Sequence, residues 1–441
     1  MKKCIFCFLS DSHQHKLKRL AQGRKDKYEE VLREYKKLYI DGLNAVVSPE
    51  DCESRHHFEP DVVKYLSDIQ EDLNTESVLI SISDFFDRVI NVYTYDAVEK
   101  DHNKAFDSLR DFIAKDCYSL MSVSNHDFTK PLFRVRPKGK YDKHNENEYF
   151  HIPFSKKEIA SSQRYSKAGV PMCYLANNLQ TALTEVGSSL DEVNVSVFML
   201  GFSNFYYDKV IETTNPIFEN IRISICELYD MGTKLEYDAP YCAFSKRNMK
   251  KFLASFILYQ VLQYPVRSKD DDYPKNEYLL PQLFMELVRQ NDHWIGVKYQ
   301  STQLVVSDIG LHHSEGNINY CFWLPQSKDE DYSVEFKSKC IIKLAVNAVE
   351  VSLEDFNKKC DEYEDLCRQN NAKGYVMTDY GLYVLSMKRL IGEDKKKVDS
   401  GELCQDVFQT EINLLYQLLL ATDSIIAHPE KYNFNRWNRN N

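Results

Sequence analysis

The chain has 441 residues, 43% hydrophobic and 28% charged, with only 14 Gly and 13 Pro; this excludes a disordered or fibrous protein and fits a globular chain of two or more domains. A formal net charge of −10 without a long Lys/Arg block would repel a polyanion, so nucleic acid is not an expected partner. Twelve cysteines scattered from Cys4 to Cys404 are unlike the dense framework of a small secreted domain, and a reducing cytoplasm is the expected compartment.

The opening MKKCIFCFLSDS has too short an apolar run, followed too soon by charge, to read as a signal peptide. FLASFILYQVLQYPV and INLLYQLLLATDSIIA are too short or too interrupted to span a bilayer, so no membrane association is expected. Residues 10–40 and 60–122 place apolar residues at helical spacing among Lys, Arg and Glu, which predicts a mainly helical module over 1–125. Cys4 and Cys7 would form half of a zinc site if His13 and His15, or Cys52 and His56, completed four ligands. The spacing is irregular and a second Cys-x-x-Cys is absent, so unligated thiols and no metal are the expectation.

Near residue 126 the texture changes. Pro131, Pro137, Gly139 and Pro153 surround a strand-like LFRVR and a polar insertion at 138–148. Strands are predicted at MCYLA, VSVFMLGF, IGVKYQS, INYCFWL and CIIKLAVNAVEV, with helices at 178–190, 247–263 and 281–291. MKKFLASFILYQVLQ is apolar on nearly every face and predicts a central buried helix ended by Pro265. Strands and helices do not alternate strictly, so residues 126–350 read as an α+β domain. Residues 351–441 read as a helical extension, with EDKKKVDSGE as an exposed loop.

Within RYSKAGVPMCYLANNLQTALTEV, residues 164–186, Pro171 favours an extended Val170 and a strand after it, and Asn178 is a sound helix N-cap. Leu179, Ala182, Leu183, Val186 and Leu190 share one helical stripe, and Glu185 lies about 120° from its centre, beside the buried face. By local rules alone Glu185 is a solvated glutamate, Tyr174 a core residue and Arg164 a surface arginine.

PLFRVRP, FHIPFS, QRYSKAGVPMCYLANNLQTALTEV, EYLLPQLFMELVRQNDHWIGVKYQST and INYCFWLP together resemble, in order and spacing, the RES domain family of bacterial toxins, over about residues 130–330. The resemblance implies an ADP-ribosyltransferase-like mixed β core with flanking helices that cleaves NAD, its substrate, between nicotinamide and ribose. It places the first family arginine on Arg134, with Arg136 as a competing candidate because of the insertion that follows, and the second on Arg164, with Tyr165 as its aromatic neighbour. The family tyrosine falls on Tyr174, the glutamate on Glu185 and the serine on Ser301. The asparagine falls on Asn319, with Asn317 as fallback. Gln300 departs from the family pattern, where a proline is common.

These residue types suit the chemistry. Guanidinium groups clamp pyrophosphate with paired charge-assisted hydrogen bonds, which suits Arg134 and Arg164, and Ser301 would add a donor. Breaking an N-glycosidic bond builds positive charge on the ribose, which a carboxylate such as Glu185 stabilises. Tyr174 or Tyr165 would stack on nicotinamide or hold its ribose. Water, phosphate or a protein nucleophile would all approach the same carbon, so a glycohydrolase, a phosphorylase and an ADP-ribosyltransferase stay open, beside a binding module without activity. The resemblance also implies an antitoxin or other regulatory partner. The N-terminal helices resemble the HEPN-type unit that precedes RES domains. RNase chemistry in such a unit needs an arginine and a histidine a few residues apart on one of its helices, and the nearest pair, Arg289 and His293, lies in the other domain. His312 and His313 read as solvated loop residues, and no glycine-rich phosphate loop is present.

Overall fold

A computed structural model describes residues 2–23, 27–54, 60–73, 75–117, 130–139, 142–200, 209–212, 249–266, 275–290, 294–302, 317–326, 330–338, 340–372 and 378–427. The predicted boundary near 126, together with His56, His293, His312 and His313, lies outside these residues. The expected α+β class is borne out: helices at both ends of the chain enclose one mixed sheet.

The N-terminal helices are α1 (Ile5–Phe8), α2 (Asp11–Gln22), α3 (Tyr28–Asn44), α4 (Pro60–Leu73), α5 (Glu76–Ala97) and α6 (His102–Asp116). They share a continuous apolar core with α9 (Met249–Leu262) and α10 (Leu279–Arg289). The all-round apolar sequence of α9 is explained by that position: Leu253, Phe256, Ile257, Leu258 and Val261 are all buried. Two short helices, α7 (Glu146–Phe150) and α11 (Val334–Lys337), pack with the sheet, and α7 lies partly within the predicted polar insertion. The C-terminal helices are α12 (Leu353–Ala372), α13 (Thr378–Asp399) and α14 (Gln405–Ala427). The charged segment expected as a loop instead continues α13 to Asp399, supported by the Lys395–Asp399 ion pair, and only its last residues leave the helix. Among the described residues, no helix is long and apolar enough to cross a membrane.

The strands are β1 (Leu132–Pro137), β2 (Met172–Ala176), β3 (Val193–Leu200), β4 (Lys209–Glu212), β5 (Trp294–Gln300), β6 (Ile318–Trp323) and β7 (Cys340–Leu344), in sheet order β4-β5-β6-β2-β1-β3-β7. The β4–β5 pair is parallel and the rest antiparallel. Gly296 permits the tight β5–β6 approach, because a Cβ there would meet the Cys321 carbonyl at 2.4 Å. The β1–β2 join is different. β1 matches β3 along its whole length, but meets β2 only at Phe133–Ala176. At the open end stand Pro137 and Pro171, neither of which can donate a ladder bond.

Between β2 and β3 lies α8 (Leu179–Val186). Asn178 caps it as expected, accepting from the Thr181 amide at 2.7 Å. Gly187, at φ 68°, takes the left-handed conformation that ends the helix. The predicted stripe therefore stops early: Leu179, Ala182 and Leu183 are buried, whereas Val186 is exposed and Leu190 lies beyond the helix. Helix α14 closes over α8, and the buried Glu411 accepts from the Leu179 amide at 2.7 Å.

Candidate functional site

Glu185 occupies the last turn of α8, where the early stop leaves its side chain accessible. Its Oε1 accepts from Ser301 Oγ at 2.5 Å and from Asn319 Nδ2 at 2.7 Å. Both donors are 4% exposed, so a buried group just past β5 and another on β6 hold a carboxylate whose own residue remains exposed. Ser301 follows β5, and its amide donates to the Asn317 carbonyl at 2.7 Å, which fixes the hydroxyl at the strand end. Thr181 on α8 donates to Asn317 Oδ1 at 3.0 Å. Asn319 is thus the asparagine on the carboxylate, and Asn317 ties α8 to the strand ends.

A cavity of about 470 Å³ opens in front of this carboxylate. Phe133 to Arg136 of β1 all line it, as do Met172 and Tyr174 to Ala176 of β2. Strand side chains alternate between faces, so consecutive residues reach one cavity only at a strand edge. The space therefore lies where β1 and β2 part. Arg134, Arg136, Arg164, Tyr174, Glu185 and Asn319 all border it. The lining mixes apolar and aromatic side chains with convergent charged and polar groups in comparable measure, which suits a small polar molecule.

The two arginines of the resemblance are held differently. Arg134 is buried and donates to Cys173 Sγ at 3.2 Å across the β1–β2 gap. Arg164 is also buried; its Nη1 donates to the carbonyls of Leu262 and Tyr264 at 3.1 and 2.9 Å, and its Nη2 to Thr302 Oγ1 at 3.0 Å. Those bonds take three of its five N–H groups and cap carbonyls at the end of α9, so Arg164 is a fixed charge at the cavity wall. Its guanidinium lies 5.4 Å from the Tyr278 ring centre. Near Arg134, His151 is held neutral, its pKa lowered to about 4 by burial and, against its bond to the Ile152 carbonyl, by the charges of Arg134 and Arg136. It accepts from the Ser333 amide and is a structural histidine.

Tyr174 hydrogen-bonds Ser166 Oγ at 3.0 Å, and burial pushes its phenol well above the ordinary value. Tyr299 at the cavity wall is raised likewise, first by burial and then by the Glu185 charge, so both phenols are protonated at neutral pH. Tyr165, expected to touch a ligand, is not brought to the cavity. Its ring is buried against Tyr299 at 4.7 Å, in the core. Sequence reasoning did not find Ser166, Tyr278, Tyr299 or Thr302. Thr302 was signalled only by its adjacency to Ser301, and Tyr278 by nothing local.

The cysteine reading is also resolved in space. Cys4, Cys7 and Cys52 come together with their Sγ atoms within 4.8 Å of one another. The candidate partners His13 and His15 do not join them: His13 packs on the Phe8 ring and His15 accepts from Arg19 Nε.

Comparison with curated proteins finds a protein of Bacillus subtilis (strain 168) named "Putative toxin YopC", 28% identical over 198 residues, which are 43% of this chain and 40% of that protein. The match thus spans less than half of that relative's length. No protein-family model matches the chain, and no solved structure matches it.

Proposed function

We propose that the chain is a RES-type enzyme that cleaves NAD between nicotinamide and ribose, and that it acts as a toxin by draining the cell of NAD. The observation that carries the reading is the Glu185 carboxylate, fixed by Ser301 and Asn319 on the wall of a cavity that also holds Arg134, Arg136 and Arg164. The likeness to a protein named as a toxin supports the toxic role. In this reading the arginines meet the pyrophosphate, whose two negative charges need guanidinium donors. Glu185 faces the ribose. As the C1′–N bond breaks, nicotinamide leaves with the bonding electron pair, positive charge gathers on the ribose, and the carboxylate stabilises that state more than the substrate. The acceptor then bonds to C1′ and gives up its proton. Tyr174 provides an aromatic face and a protonated hydroxyl beside Ser166.

The test is to incubate purified protein with NAD and follow nicotinamide, with and without phosphate and candidate protein targets. Release without protein labelling identifies water or phosphate as acceptor; labelled protein identifies ADP-ribose transfer. If NAD stays intact under every condition, and Glu185→Gln is as toxic to cells as the native chain, the enzyme reading fails in favour of a binding module.

A further inference from the structure

We propose that Cys4, Cys7 and Cys52 bind one zinc ion as thiolates. The three side chains are buried, at 0%, 7% and 4% exposure, and form an apolar cluster of their own beside Phe6, separate from the main core. A lone buried cysteine packs as a small hydrophobe among other hydrophobes; here three sulfurs from two distant segments pack on each other. Their spacing is that of a metal site. Tetrahedral zinc with Zn–S bonds of about 2.3 Å places neighbouring sulfurs about 3.8 Å apart. Cys7 Sγ and Cys52 Sγ are 3.7 Å apart, and all three sulfurs lie within 4.8 Å of one another.

The local backbone explains how they meet. Cys4 precedes the single turn of α1 as its N-cap, so Cys7, three residues on, falls on the same side. Cys52 follows a 3-10 turn over Pro49–Asp51 whose cap is Ser48. The Val47 and Glu53 amides donate to the Lys3 and Lys2 carbonyls, each at 3.0 Å, pinning the two segments on either side of the sulfurs. The Cys4 amide is 3.4 Å from Cys52 Sγ, and the Ser54 hydroxyl is 3.3 Å from Cys7 Sγ. The amide donates to Cys52 Sγ, whereas the Cys7 thiol donates to the Ser54 oxygen; a donor directed at sulfur suits an anionic thiolate at Cys52, whose charge it stabilises. Zinc binding would release the thiol protons and tie the N-terminal turn to a segment 45 residues away. The fourth position belongs to water or to one more side chain. The ion would thus be a structural staple for the helical module, independent of the NAD reading.

The experiment uses the full chain purified under reducing conditions. Metal analysis should find about one zinc per chain, and cobalt exchanged for it should give the thiolate-to-metal charge-transfer absorption of a sulfur-rich tetrahedral site. Cys52→Ala and Cys7→Ala should lose both signals, Cys52→His should retain zinc, and Cys117→Ala and Cys404→Ala should match the native chain. If a variant fails to fold, the cobalt spectrum of the native chain still decides. A folded native chain that takes up no zinc or cobalt overturns the proposal. So does zinc retained in folded Cys7→Ala and Cys52→Ala, or a Cys7–Cys52 disulfide in the reduced preparation.

Discussion

Ser301 and Asn319 both donate to one oxygen of Glu185, and removing them separately and together tests the site most directly. A hydrogen bond to a charged group is worth about 1.5–3 kcal/mol. Glu185 is exposed to solvent, which offers a substitute donor, so the lower end applies, and about 1.4 kcal/mol corresponds to tenfold in rate. Ser301→Ala and Asn319→Ala are each predicted to lower kcat/KM for NAD about tenfold. Either remaining donor still fixes Oε1, so the double variant should lose at least the product of the two effects, about a hundredfold or more. The assay is nicotinamide release under identical conditions, with thermal melts to separate loss of fold from loss of rate. If both single variants stay within about twofold of the native chain while Glu185→Gln is inactive, the two donors do not prepare the carboxylate and the reasoning is wrong.

Two further predictions concern the supports of the site. Glu411 is buried against Asp394, and burial first, then the charge of Asp394 and a hydrogen bond with it, raise its pKa well above the usual glutamate value. A raised folded pKa gives stability that is complete below the unfolded pKa and is lost as pH rises through the folded one. Glu411→Gln keeps an acceptor for the Leu179 amide without the charge, so its melting temperature should exceed that of the native chain progressively as pH rises; Glu411→Ala orphans that amide and should cost about 1–3 kcal/mol or more. Equal pH profiles for Glu411→Gln and the native chain would count against a buried protonated carboxyl. His102 bonds Asp96 and Glu286, and Glu286 also pairs with Lys167 in the loop after Arg164. Burial opposes the charged imidazole, but the bonds to Asp96 and Glu286 outweigh it and raise its pKa. Its contribution should therefore be present below the ordinary histidine value and vanish as pH rises through the folded one, so His102→Gln should melt lower than the native chain at pH 5.5 and equal to it at about pH 9. A difference independent of pH would refute the ionic origin.

Local rules carried much of the secondary structure. The Asn178 cap, the strand after Pro171 and the buried α9 all follow from patterns within a few residues, because capping, proline geometry and apolar periodicity act over one or two turns. The true ends of elements were less legible. Gly187 stopped α8 before the apolar pattern did, and the charged end of α13 was helical because ion pairs along the helix outweigh the loop-like composition. Among site residues, Glu185 is ambiguous by periodicity, and only the ordered blocks around Arg134 and Ser301 singled it out.

What the sequence by itself determined was the α+β class, the helical ends and a short set of polar residues with suitable chemistry. Tertiary structure decided which of them meet. It put Ser301 and Asn319 on one carboxylate oxygen, sent Tyr165 into the core against Tyr299, and brought Cys52 to Cys4 and Cys7 while leaving His13 and His15 elsewhere. The reason is range. Hydrogen bonds and sulfur contacts act over a few ångströms, but the groups that make them are separated by 116 residues in the case of Glu185 and Ser301, and that distance is closed only by the sheet order and the parting of β1 from β2.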